Sequence, residues 1–240
     1  MRPIGFSTGA VAKGDFQRAL SLLRQHGVRV VELSALRLSE LAPLVQSLEG
    51  MDLDGFEFVS FHAPSQFLRT EEQCVVEQLL PVVERGIPVV VHPDVIFTPE
   101  AWEPMGSLLL LENMDKRKRV ARSAQDLLAW FTLFPRARFC FDIGHARQFD
   151  PTMAEARMIL QALSGRLAEV HISEVNTSSR HDSLSANAIS AFRSVAHLIP
   201  ERVPVILETL IDQGQSEILT EIDRARRALD QTRFVAAGEG

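Results

Sequence analysis

Residues 138–145 read RFCFDIGH, and the stretches 109–113 (LLLEN) and 167–171 (LAEVH) repeat the same arrangement. Each is an apolar run that stops on an acid or an imidazole. Side chains alternate faces along a strand, so Cys140 and Asp142 share one face and Phe139 and Phe141 the other. A strand apolar on both faces belongs to a buried parallel sheet, where helices cover the outside. Working outward, the runs 56–62 and 88–92 stop on His62 and His92, and the run 203–208 stops on Glu208. Six successive apolar runs thus end on Glu112, Asp142, His62, His92, His171 and Glu208.

Two more β-rich runs, 4–7 and 29–33, precede these, which makes eight. Amphipathic helical patterns separate them at 15–25, 38–48, 71–85, 124–133, 153–163 and 186–198, and a last one, 216–229, follows the eighth strand. Residues 99–105 form at most a turn or two of helix. Gly27 and Gly86 sit where a helix must close before a strand, with φ positive. Thr98-Pro99 and Asp150-Pro151 read as helix caps followed by proline. Strict β-α alternation implies a parallel sheet. Eight units predict an α/β fold, a (β/α)8 TIM barrel, since the first turn, Ser7-Thr8-Gly9-Ala10, lacks the glycine spacing of a dinucleotide fold. One domain over 1–234 and a loose tail over 235–240 are expected, with no linker or low-complexity block.

Composition narrows the function. The 240 residues, 46% of them hydrophobic, suit one barrel with a substantial core. No apolar stretch reaches the roughly 18 residues of a membrane span, and the N-terminus lacks a signal-peptide core, so a cytoplasmic protein is expected. A net charge of −6 supplies no basic field for nucleic acid. Cys74 and Cys140 are expected to be small buried hydrophobes rather than a metal knuckle or a disulfide. There is no tyrosine to act as acid, base or stacking surface.

In a barrel all strand C-termini lie on one rim, where active sites are built. By parity Glu112 goes with Leu110, Asp142 with Cys140, Glu208 with Ile206 and His92 with Val90, on the face that points inward. Crowded acids and imidazoles repel or lose hydration unless a cation joins them. The mixture of imidazole and carboxylate suits Zn, Mn, Fe or Co better than Ca. Glu169 also has inward parity, and a bulge near His171 is the expected way to turn it aside.

The set His62-Ala63-Pro64, His92-Pro93, Glu112-Asn113, Asp142-x-x-His145, His171 and Glu208 resembles the xylose isomerase-like barrel superfamily, which takes in sugar isomerases, sugar epimerases and endonuclease IV. The loop Arg180-His181-Asp182-Ser183-Leu184 is similar to the histidine-bearing loop of endonuclease IV. In that family nine ligands hold three zinc ions. The resemblance implies eight of them here: His62, His92, Glu112, Asp142, His145, His171, His181 and Glu208. The ninth, an aspartate two residues before the loop histidine, is replaced by Ser179. Endonuclease IV inserts a tyrosine and a leucine into DNA after the third strand, and Ser65 and Gln66 stand in those places.

Two mechanisms follow. One is phosphoester hydrolysis at a multi-metal site, with zinc foremost and Mn, Fe, Co or Mg as alternatives. Its expected substrate is a small phosphorylated sugar or nucleotide-like molecule in preference to DNA. The run Lys116-Arg117-Lys118-Arg119 is either a solvated cluster at a helix start or, with Lys116, Arg147 and Arg180, a clamp for an anion. The other mechanism is sugar isomerisation or epimerisation at one ion. The resemblance there implies Glu112, Asp142, His171 and Glu208 as ligands, with Glu112 and Glu208 as the acid/base pair.

Overall fold

The computed structural model describes residues 2–211 and 215–231; the tail expected over 235–240 lies outside the described residues. The strands are β1 (Ile4–Ser7), β2 (Val30–Ser34), β3 (Phe58–His62), β4 (Val89–Val91), β5 (Leu109–Glu112), β6 (Arg138–Asp142), β7 (Leu167–Ile172), β8 (Glu174–Val175), β9 (His181–Asp182) and β10 (Val205–Leu207). The helices are α1 (Thr8–Ala12), α2 (Phe16–Gln25), α3 (Leu38–Ser47), α4 (Glu72–Glu84), α5 (Pro99–Trp102), α6 (Ala124–Leu133), α7 (Ile143–Phe149), α8 (Ala154–Leu163), α9 (Ala186–Arg193) and α10 (Gln215–Ala228). Eight strands close into a parallel barrel in the order β1-β10-β7-β6-β5-β4-β3-β2, a (β/α)8 TIM barrel with its helices outside.

Phe139 and Phe141 of β6 are fully buried in the layer between strands and helices. Burying such a ring stabilises by roughly 2–3 kcal/mol. Cys140 faces the other way, into a small apolar plug with Val90, Leu110 and Ala168. Above this plug the inward positions turn polar. The register of β6 on β7 shifts between Phe139↔Leu167 and Cys140↔Glu169, so Ala168 is the extra residue. This bulge lies at Ala168 and does not turn Glu169 away. It keeps Glu169 on the inner side, fully buried, where its Oε1 accepts the Ser60 hydroxyl at 2.9 Å.

Several strands are shorter than their apolar runs suggest. A turn with Gly55 at φ 91° precedes β3. A 3₁₀ segment, Glu103–Leu108, precedes β5, and its Gly106 has φ 58°. Gly27 and Gly86 close their helices with φ of 66° and 75°. Thr98 precedes α5 but makes no side-chain cap, and its amide donates to Glu72. Asp150 bonds the amides of Thr152 and Glu155, yet α8 begins only at Ala154. Cys140 is buried, whereas Cys74 lies exposed on α4, where its sulfur accepts from Gln78. No helix among the described residues is long and apolar enough to cross a membrane.

Candidate metal centre

The strand ends bring their polar residues to one mouth of the barrel. Glu112 closes β5 and sits at the middle, fully buried. Its Oε2 lies 3.3 Å from His62 Nε2 and 3.1 Å from His92 Nε2. Its Oε1 lies 3.4 Å from His145 Nδ1 and 3.4 Å from His171 Nδ1. The two oxygens of one carboxylate thus face two different sets of imidazoles. Asp142 ends β6, and its Oδ1 caps α7 by accepting the His145 amide at 2.6 Å. That cap leaves Oδ2 for the barrel interior, 3.5 Å from His145 Nδ1. Glu208 follows β10, and its amide still pairs with the Ile172 carbonyl. Its Oε1 is 3.6 Å from His171 Nδ1 and its Oε2 3.2 Å from His181 Nδ1.

His181 reaches the mouth on the β8–β9 hairpin, which is antiparallel and separate from the barrel. α7 starts directly after β6 because Gly144 lets it pack tightly: a Cβ there would lie 2.5 Å from the Ser173 carbonyl oxygen. Backbone carbonyls fix two ring orientations. His62 Nδ1 donates to the Ala63 carbonyl at 2.7 Å, and His145 Nδ1 to the Asn113 carbonyl at 3.0 Å. A carbonyl only accepts, so when either ring is neutral its Nε2 is the nitrogen with the lone pair.

Three groups of donor atoms lie within 4.8 Å of one another: Glu32, His62 and His171; His62, His92 and Glu112; and Glu112, Asp142, His171 and Glu208. In the last group each residue has one buried atom without a hydrogen-bond partner among the described residues, namely Glu112 Oε1, Asp142 Oδ2, His171 Nδ1 and Glu208 Oε2. Buried polar atoms are rarely left so. Ligands about 2.0–2.2 Å from a zinc ion sit about 2.8–3.6 Å apart at right to tetrahedral angles, and His171 Nδ1 lies 3.4 Å from Glu112 Oε1 and 3.6 Å from Glu208 Oε1. The donors fit a divalent cation.

The electrostatics agree. Burial, with the charges of Glu208 and Glu112, pushes Asp142 up to about 7 against the pull of His145. For His62 burial works against the charge, yet Glu32 and Glu112 outweigh it and raise the imidazole to about 9. His145 rises to about 10, since Asp142, Glu112 and Glu208 overcome its burial. Burial prevails at His92 and lowers it. Glu208 is held far below the usual carboxylate range by His181 and His171, against the opposing effect of burial. Without a metal, His62 and His145 therefore carry positive charge beside carboxylates, which a bound cation would replace.

The cavity above the cluster has a volume of about 210 Å³. Glu32, His62, His92, His145, His181 and Glu208 line it, with Ser65, Gln66, Asp115, Arg117, Lys118 and Ser179 around the mouth. Lys118 pairs with Asp94, and Arg117 with Asp115 and the Ser178 carbonyl. Lys116, Arg147 and Arg180 are not among the lining residues, and Arg147 is bound to Glu174 at 2.9 Å. A larger groove of about 360 Å³, lined by Phe16, Leu20, Arg24 and Met51, lies on the outer surface and holds no histidine. The sequence reading passed over Glu32 as a site residue, and of the basic run it weighed as a clamp the mouth takes Arg117 and Lys118. Glu32 was detectable as the lone acid between Val31 and Leu33 in an apolar strand.

The fold is similar to that of solved (β/α)8 barrels, among them a xylose isomerase-like TIM barrel protein. No family model matches the chain, and no curated protein sequence matches it. Among solved structures it is similar to an endonuclease IV from Thermus thermophilus, with TM-score 0.62 and 20% identity over 95% of this chain and 99% of that one. It is also similar to L-ribulose 3-epimerase, with TM-score 0.60 and 14% identity over 95% of this chain and 92% of that one. A xylose isomerase-like TIM barrel protein from Mycobacterium smegmatis, in complex with magnesium, gives TM-score 0.58 and 12% identity over 96% and 98% of the two chains. At these identities the likeness establishes the fold.

Proposed function

We propose that this chain is a divalent-metal-dependent hydrolase of phosphoesters, with Glu112 shared between two donor sets that would each hold an ion. The carrying observation is that Glu112 turns Oε2 to His62 and His92 and Oε1 to His145 and His171. A carboxylate that faces two donor sets with separate oxygens suits a pair of cations better than one. His62 and His92 would hold the first ion with Glu112; Asp142, His171 and Glu208 would hold the second with it. The His62–His92–Glu112 set, two imidazoles and one carboxylate, favours zinc. Bound ions would lower the pKa of a water to near neutrality and offset charge on the phosphoryl oxygens.

The protein's own groups do the rest. Arg117 and Lys118, at the mouth, would orient the anionic group over the centre. His181, held by the Ser173 hydroxyl at 2.8 Å and facing Glu208, can take or return a proton at the reacting oxygen. The cavity admits a sugar- or nucleotide-sized ester, and the chain's net charge of −6 does not favour DNA. The same fold supports a second reading, because Glu112, Asp142, His171 and Glu208 form a complete single-ion set. Glu112 and Glu208 would then be the acid/base pair of a sugar epimerase.

Metal analysis of protein purified without chelator, run beside assays on phosphoesters and on ketoses, tests the reading. Two or more ions per chain with phosphate release supports it. One ion per chain with ketose turnover overturns it in favour of the epimerase.

A further inference from the structure

We propose that Glu169 and Glu32 are positioning residues that fix His171 from beneath, so that its Nδ1 is presented to the metal. The inference rests on the metal reading and adds an inner layer to it. His171 is fully buried and lies between two layers of acid. Its Nδ1 faces outward, 3.4 Å from Glu112 and 3.6 Å from Glu208, and has no hydrogen-bond partner among the described residues. Its Nε2 faces inward, 3.3 Å from Glu169 Oε1 and 3.1 Å from Glu32 Oε2.

Glu169 makes the aligned contact. A carboxylate oxygen accepts, so Nε2 carries the proton and Nδ1 keeps its lone pair. The Ser60 hydroxyl donates to that same Oε1 at 2.9 Å, which holds the acceptor in place. The bulge at Ala168 makes this possible, since it puts Glu169 under His171 on the inner side. Glu32, steadied by the Ser34 hydroxyl at 3.3 Å, adds a second negative charge beside the same nitrogen. A carboxylate behind a metal-binding imidazole orients the ring and strengthens its donor nitrogen.

Stability alone does not account for this pair. Both acids are fully buried, and neither has a lysine or arginine partner among the described residues. Glu32 Oε2 and Glu169 Oε2 accept no hydrogen bond there. An acid so placed costs folding energy. The metal-free protein should therefore gain stability from Glu169→Gln, while metal binding should weaken in both Glu32→Gln and Glu169→Gln.

The test measures zinc affinity and the metal-free Tm for the full chain and for the two variants. The expected result is a zinc Kd raised about 10–100-fold in both variants, with a metal-free Tm in Glu169→Gln equal to or above that of the parent. Unchanged affinity in both variants overturns the proposal. So does a joint fall of affinity and metal-free Tm in Glu169→Gln, the mark of a structural role alone. NMR of ¹⁵N-histidine in the zinc-loaded parent is a second measurement that needs no variant. It should show His171 protonated at Nε2 and ligated at Nδ1, and the opposite arrangement overturns the proposal. If the parent binds no zinc, the metal reading falls and this one with it. If the parent binds zinc and the variants match it, only the inner-layer proposal falls.

Discussion

Glu112 is the residue on which the centre turns, so it makes the sharpest mutational prediction. Glu112→Gln should remove both ions, whereas His92→Ala should remove one and leave the Asp142–His171–Glu208 set loaded, as read by metal content per chain. The imidazoles predict a pH dependence. His62 and His145, raised to about 9 and about 10, carry protons at neutral pH when metal is absent. A cation must displace them, so zinc affinity should rise with pH up to about 9. Calorimetry at pH 7.5 in buffers of differing ionisation heat should show net proton release, and none would contradict the assignment. The sign for folding is opposite. Raised imidazoles stabilise the metal-free protein fully below about 6.5, and that contribution is lost as pH climbs through about 9–10. At this scale sequence reading worked where an acid or imidazole stood at a strand end. It passed over Glu32, two residues inside the end of β2, and it could not tell which members of the basic run 116–119 reach the mouth, because no alternation rule gives direction in an aperiodic loop.

At the scale of elements, the barrel strands were legible because each apolar run is bounded by turn residues. The short pieces were not. α7 follows β6 with no intervening turn, and α1 follows β1 in the same way, so neither left a punctuation mark. The β8–β9 hairpin has two residues per strand, too few for alternation to register. These pieces carry His145 and His181, and their packing is tight. Gly144→Ala would press a Cβ against the Ser173 carbonyl and Val175. We expect a cost of about 1–3 kcal/mol and, because His145 is the next residue, reduced metal content; an unchanged Tm would contradict this. A second element joint depends on Glu72 of α4, whose Oε1 accepts from the amides of Phe97 and Thr98 and from Trp102 Nε1. Glu72→Ala should cost about 3 kcal/mol in chemical denaturation without altering metal content.

Across the whole molecule, donors arrive from β3, the end of β4, β5, β6, β7 and the end of β10, so one centre ties together most of the circumference. Metal bound only by the folded state stabilises it by mass action. Zinc at 100 times its Kd should add about 2.7 kcal/mol and raise Tm by about 5–10 °C. A scan with and without chelator checks this, and coincident curves would count against a centre that spans the sheet.

The apolar plug of Val90, Leu110, Cys140 and Ala168 also has a kinetic consequence. It stops the barrel below the polar layer, which leaves the mouth lined by Arg117 and Lys118 as the route in and out. Traffic through a single doorway is one molecule at a time. Under the proposed hydrolysis, a spent anion still resting there would bar the next arrival, and turnover would then follow the rate of departure more than the rate of bond breaking.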